Sequence, residues 1–108
     1  MINFGIPSNL KAYIDHVLRP GMTFRYTAKG PEGLLRDKKA SLVVARGGIY
    51  SQGPMRALNF QDPYLKAVLA FIGLADVEVI AAEGIAFGPE AAEKSVSAAL
   101  ERVSALAA

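Results

Sequence analysis

Residues Ala40 to Ala45 read Ala-Ser-Leu-Val-Val-Ala and run directly into Arg46-Gly47-Gly48. A short apolar run without clean alternation is the pattern of a strand buried on both faces, as in a parallel sheet. The next elements fit that reading. Asp62 caps and Pro63 opens a helix over residues 63–72, with Leu65, Val68, Leu69 and Ile72 on its apolar side and Gly73 ending it. Residues 76–82, Asp-Val-Glu-Val-Ile-Ala-Ala, form a second strand. Strands alternating with helices imply βαβ crossovers and a parallel sheet covered on both sides.

The flanks extend the alternation. Ser8 is a candidate N-cap for a helix in which Leu10, Tyr13, Ile14, Val17 and Leu18 recur at amphipathic spacing. Asp15 and Arg19 stand at a favourable i,i+4 spacing, and Pro20-Gly21 stops the helix. A short alternating stretch, Met-Thr-Phe-Arg-Tyr-Thr, follows and ends in a loop through Gly30-Pro31 and Gly33. After the second strand, Gly88-Pro89-Glu90 starts an alanine-rich helix with Val96, Leu100, Val103 and Leu106 along one stripe. The order is loop, helix, strand, helix, strand, helix. It contains no internal repeat or linker, so the 108 residues form at most one domain.

Composition narrows the function classes. A hydrophobic content of 52% excludes disorder. The net charge of +2 is small and its cations are scattered, with only Arg36, Lys38 and Lys39 close together, so nucleic acid is not an expected partner. The absence of cysteine removes disulfides, thiolate zinc sites and cysteine nucleophiles. One histidine and scattered carboxylates make no metal-ligand set. No apolar run reaches membrane-spanning length, and the opening residues lack the pattern of a signal peptide. The expectation is a soluble cytoplasmic protein with no membrane partner.

Two strands make a poor parallel sheet. The Ala40–Ala45 strand expects a neighbour on each edge, and the sequence provides one. An open edge beside apolar side chains invites association, and a two-stranded unit is marginal by size. The string therefore reads as a piece of something longer, and the chain is expected to self-associate, to pair with a further segment, or to be unstable.

Three segments resemble the azoreductase branch of the flavodoxin-like family: residues 1–27 (MINFGIPSNLKAYIDHVLRPGMTFRYT), 30–54 (GPEGLLRDKKASLVVARGGIYSQGP) and 63–90 (PYLKAVLAFIGLADVEVIAAEGIAFGPE). They follow the family's order and spacing over nearly the whole chain. The match corresponds to the carboxyl-terminal half of a family member. It lacks the amino-terminal strands and the serine-containing loop that wraps the FMN phosphate.

The resemblance implies an α/β fold, a flavodoxin-like three-layer sandwich with FMN at the carboxyl ends of parallel strands. It implies that the loop of Met1, Ile2, Asn3 and Phe4 runs along the isoalloxazine, and that Ala45, Arg46, Gly47 and Gly48 contact the ring from the other side. Ile2 stands where the family commonly has Tyr, and Ala45 where it commonly has Ser. Glycines let backbone N–H groups approach a planar ring, and such donors would tune the reduced flavin. The implied activity is two-electron reduction of quinones or azo compounds by NADH, in a homodimer whose pocket lies near the subunit interface. Tyr26 and the helix bearing Val68 correspond to segments that line or cover that pocket. Because flavin carries the chemistry, no acid–base triad is expected, and the sequence offers none.

Each residue also has a plainer reading. His16 falls roughly 240° around the helix from Leu10, off the apolar stripe, and is expected in solvent. Arg46-Gly47-Gly48 alone is a turn with a charge, Asn3-Phe4 alone an ordinary loop. Tyr26 suits a sheet, and Tyr50 suits packing as well as a pocket. Glu83 and Glu90 have no evident partner and read as a strand end and a helix N-terminal charge. Three classes stay open: a flavin-dependent reductase or its functional half, a non-catalytic fragment held together by association, and an interaction module using the sheet edge. Without a phosphate loop the chain alone is expected to bind FMN weakly.

Overall fold

A computed structural model describes residues 1–107. Helix α1 spans Ser8–Val17, strands β1 and β2 span Phe24–Thr27 and Gly30–Gly33, and β3 spans Ala40–Ala45. A 3-10 turn at Pro54–Leu58 precedes helix α2, Asp62–Phe71. Strand β4, Val77–Ala82, leads through a short turn at Ile85–Phe87 into α3, Pro89–Ala107.

Strands β3 and β4 pair in parallel, from Ala40 opposite Val77 to Ala45 opposite Ala82, with α2 as the crossover element. This is the expected βαβ unit. The small core lies where α3 meets β4: Ile80, Ala82 and Ala99 are buried, with Ile85 and Val103 packed against them. It places the carboxyl ends of β3 and β4, and the loops leaving them, at one end of the molecule.

Several details differ from the sequence reading. The stretch after Met22 is half of an antiparallel hairpin, with Phe24 opposite Gly33 and Thr27 opposite Gly30. Its second strand, Gly-Pro-Glu-Gly, has no strand propensity of its own; β1 and α2 hold it in place. Gly33 meets Gly73 there, and a Cβ on Gly33 would lie 2.2 Å from the Gly73 nitrogen. Gly73 itself has φ +108°, so no other residue suits the end of α2. Helix α1 ends at Val17, ahead of Pro20, and its N-cap is Pro7 rather than Ser8. Asp15 pairs with Lys11 at 2.6 Å, not with Arg19, because Arg19 lies beyond the helix. Gln61, not Asp62, is the N-cap of α2.

Two apolar faces point outward. In β3, Ser41, Val43 and Ala45 are exposed while Leu42 and Val44 are half-buried, so one face of the strand is uncovered. The stripe expected to bury α3 is turned as well: Ala99 is buried, whereas Val96 and Leu100 are 40% and 59% exposed. Ala99 lets α3 sit close to β4 with Val103 beside it, and Val96, Leu100 and Leu106 fall to the outside. The molecule is correspondingly extended. Its radius of gyration is 15.9 Å, against about 13 Å expected for a compact chain of this length. Its accessible surface is 7289 Å², against about 5,800 Å² for a monomer of this mass. No helix among the described residues is long and apolar enough to cross a membrane.

Candidate functional site

The first loop is a tight turn closed by two hydrogen bonds, Ile2 N to Gly5 O at 3.0 Å and Gly5 N to Ile2 O at 2.9 Å. Its central residues, Asn3 and Phe4, have φ of 46° and 68°. Two successive positive φ values define a type I′ turn. Asn tolerates that region; a bulky residue such as Phe4 rarely adopts it. The strain is sustained because Phe60 N donates to Phe4 O at 2.9 Å and the Phe4 ring meets Tyr50 edge-on at 6.1 Å.

The second loop leaves β3 at Arg46. Arg46 N donates to Ala82 O at 2.8 Å, which extends the parallel ladder by one bond. The carbonyls of Arg46, Gly47 and Gly48 accept from the nitrogens of Ile85, Ala86 and Gly84, at 3.2, 3.0 and 3.0 Å. The N–H groups of Gly47 and Gly48 have no protein acceptor among the described residues. A Cβ on Gly48 would come within 3.1 Å of the Tyr50 ring, so any side chain there would have to push that ring aside by a few tenths of an ångström.

The two loops meet. The Met1 nitrogen donates to Ala45 O at 2.8 Å. Met1, Asn3, Phe4, Gly47, Gly48 and Tyr50 together line a cleft of about 250 Å³. Through Gly48 and Tyr50 this cleft adjoins a larger apolar hollow of about 660 Å³ that includes Ile49, Pro54, Met55 and Phe87.

Beneath the second loop lies a charge cluster that the sequence reading missed. The Arg46 side chain is 1% exposed. It donates through Nε to Gln61 Oε1 at 3.0 Å, through Nη1 to Glu83 Oε2 at 3.1 Å, and through Nη2 to Asp62 Oδ1. Asn59 Nδ2 also donates to Asp62, at 2.6 Å. Glu83 receives Tyr50 N at 2.7 Å, Ser51 N at 3.0 Å and the Ser51 hydroxyl. Burial pushes the Asp62 carboxyl up, but the Asn59 amide and the Arg46 guanidinium outweigh it and hold the group below its ordinary value of 3.8. Burial likewise raises Glu83, and Ser51, the Tyr50 N–H and Arg46 together hold it below 4.5. Glu83 is thus not the unpartnered strand end its sequence position implied. Its partners lie 32 to 37 residues away, and no local pattern announces them.

The remaining expected residues fall outside the cleft. Arg46 turns its side chain inward and gives the cleft only the placement of the glycines after it. Ala45 serves as the acceptor for Met1, and Ile2, 56% exposed, lines a neighbouring hollow with Phe60 and Tyr64. Tyr26 is 70% exposed on β1, where it meets Phe24 edge-on. Val68 sits half-buried in α2. His16 is exposed, as its helical angle implied.

Comparison with known proteins agrees with this architecture. The family model for the flavodoxin-like fold matches residues 1–107. The chain belongs to this family. It is 56% identical over 107 residues to the FMN-dependent NADH:quinone oxidoreductase of Rhizobium johnstonii, covering 99% of this chain and 52% of that protein. It is 54% identical over 103 residues to FMN-dependent NADH:quinone oxidoreductase 3 of Pseudomonas aeruginosa, covering 95% and 47%. Among solved structures, an azoreductase from Bacillus anthracis superposes with a TM-score of 0.90 at 40% identity, covering 97% of this chain and 50% of that one. An FMN-dependent NADH-azoreductase from the same species, in complex with FMN, superposes with a TM-score of 0.85 at 35% identity, covering 100% and 53%. The chain therefore spans about half the length of the relatives it matches.

Proposed function

We propose that this chain contributes two ring-facing loops to an FMN-dependent reductase that passes electrons from NADH to quinones or azo compounds. The observation behind this reading is the junction of residues 1–4 with residues 45–48 in one cleft, with two glycine N–H groups left without protein acceptors among the described residues. The cleft's lining suits a flat aromatic ring. Phe4 and Tyr50 offer apolar surface, Asn3 an amide, and Gly47 and Gly48 donors without a Cβ in the way. When bound, FMN would supply the redox chemistry by a ping-pong route through N5, taking hydride from NADH and passing it to the acceptor. The protein's part is to orient the ring and to set donors against its polar edge.

At about 250 Å³ the cleft lies below the roughly 300–1,000 Å³ typical of small-molecule pockets. It suits the ring system rather than the whole nucleotide. The names of the Rhizobium and Pseudomonas relatives support FMN, NADH and a quinone acceptor, and the Bacillus structures support an azo acceptor. Homodimerisation, a cytoplasmic setting, and substrate contacts from Tyr26, Tyr50 and Val68 complete the proposal. Titrating the 108-residue chain with riboflavin and with FMN, followed by flavin fluorescence, tests it. The reading expects weak binding of both, with little preference for the phosphate. Failure to bind either flavin at millimolar chain concentration would refute it.

A further inference from the structure

We propose that Glu83 is a positioning residue for the second loop, holding residues 46–51 so that the Gly47 and Gly48 N–H groups face the cleft. This rests on the reading of that cleft as a flavin-ring site. The single carboxylate grips both ends of the loop. At one end it takes Arg46 Nη1 at 3.1 Å. At the other it takes Tyr50 N at 2.7 Å, Ser51 N at 3.0 Å and the Ser51 hydroxyl. Three of the four partners, the Arg46, Tyr50 and Ser51 N–H groups, can only donate and converge on one oxygen, Oε2, which an ionised carboxylate makes a strong acceptor.

The residues directly after Glu83 finish the task. Gly84 N and Ala86 N each donate at 3.0 Å, to the carbonyls of Gly48 and Gly47. With those carbonyls turned into the protein, the glycine N–H groups are the polar atoms left for a ligand. Gly48 and Tyr50, both within the gripped segment, line the cleft.

Asp62 provides an internal control. It is the other carboxylate on Arg46 and a member of the same cluster, but it acts from α2 and makes no direct bond to the loop backbone. A merely structural cluster would respond alike to loss of either charge. Positioning by Glu83 sets the two apart. Glu83→Gln replaces the charged oxygen that takes Arg46, Tyr50 N and Ser51 N by a neutral, weaker amide oxygen, its NH₂ turned to the Ser51 hydroxyl, whereas Asp62→Asn leaves the loop's backbone bonds untouched.

Two measurements on the wild-type chain, Glu83→Gln and Asp62→Asn decide the matter. In the ligand-free chain, amide hydrogen exchange at Gly84 and Ala86 is expected to quicken at least tenfold in Glu83→Gln and to stay within threefold in Asp62→Asn. Riboflavin affinity is expected to fall at least tenfold in Glu83→Gln and to change less than threefold in Asp62→Asn. Unchanged exchange in Glu83→Gln, or equal effects of the two substitutions, would overturn the proposal. A wild-type chain that binds no flavin sinks the ring-site reading, and the exchange rates then decide Glu83's role alone. Should Glu83→Gln not fold, Ser51→Ala removes one of the four bonds and spares the Arg46 pair. It is expected to give a roughly threefold effect on both readouts, and no effect would overturn the proposal.

Discussion

The Phe4 ring stands edge-on to the Tyr50 ring, with centroids 6.1 Å apart and planes at 60°. One residue belongs to the first loop and the other to the second, so this contact joins them across the cleft. It also explains why a bulky side chain is kept at φ 68°. An Asn-Gly pair is the favoured centre of a type I′ turn. Phe4→Gly is therefore expected to relieve about 1 kcal/mol of backbone strain while removing an apolar wall of the cleft. Urea unfolding should show stability unchanged or slightly raised, and riboflavin affinity should fall several-fold. A parallel loss of both would mean that Phe4 is a packing residue.

Arg46 is the keystone beneath the second loop. Removing one partner of a buried ion pair leaves an uncompensated charge, a cost of about 3–5 kcal/mol. Arg46→Ala strands Asp62 and Glu83 together and is expected to lose stability of that order, measured by chemical unfolding. Arg46→Lys cannot reach Gln61, Asp62 and Glu83 with one ammonium and should recover only part. A loss under 1 kcal/mol in Arg46→Ala would show the cluster to be incidental.

The same carboxylates give a pH dependence. Asp62 and Glu83 both titrate below their ordinary values of 3.8 and 4.5 in the folded chain. Their stabilising effect is present in full above those ordinary values and is lost as pH falls through the lower folded ones. Unfolding free energy is expected to hold between pH 7 and 5 and to drop below about pH 4. The drop should shrink in the Asp62→Asn variant. A curve flat down to pH 3 would contradict the cluster's charge state.

The exposed faces have a consequence in solution. Val43 on β3 and Leu100 on α3 are 62% and 59% exposed, and among the described residues β3 pairs with a strand on one edge only. Apolar surface next to unpaired strand groups favours association. The chain is expected to sediment as a dimer or larger species at tens of micromolar, or to bind apolar dyes as a partly folded monomer. A compact, dye-silent monomer would show that these faces need no cover.

Much of the architecture was legible in local pattern. Strand β3 lies where its apolar run placed it, at 40–45, α2 is shifted by one residue to 62–71, and β4 starts one residue later than expected, at Val77, and ends as expected at Ala82. These elements carry their signals in consecutive residues. The second strand of the hairpin does not: Gly30-Pro31-Glu32-Gly33 is a strand because β1 and α2 surround it. The orientation of α3 was also hidden, because four larger apolar residues suggested the stripe while the tightest packing belongs to Ala99. At the site, glycines marked the second loop, while a shared role for residues 1–4 and 45–48 came only from family resemblance. The inward turn of Arg46 and the grip of Glu83 were not, because both depend on partners brought close only by the βαβ crossover.

The account depends on one cleft holding a flat ring between the two loops, and backbone amide chemical shifts report on that directly. In a ¹⁵N-labelled chain titrated with riboflavin, the amides of Asn3, Phe4, Gly47 and Gly48 are expected to shift together and to saturate with one common affinity. Shifts confined to one loop, or centred on the hairpin of Tyr26 while Gly47 and Gly48 stay still, would contradict it.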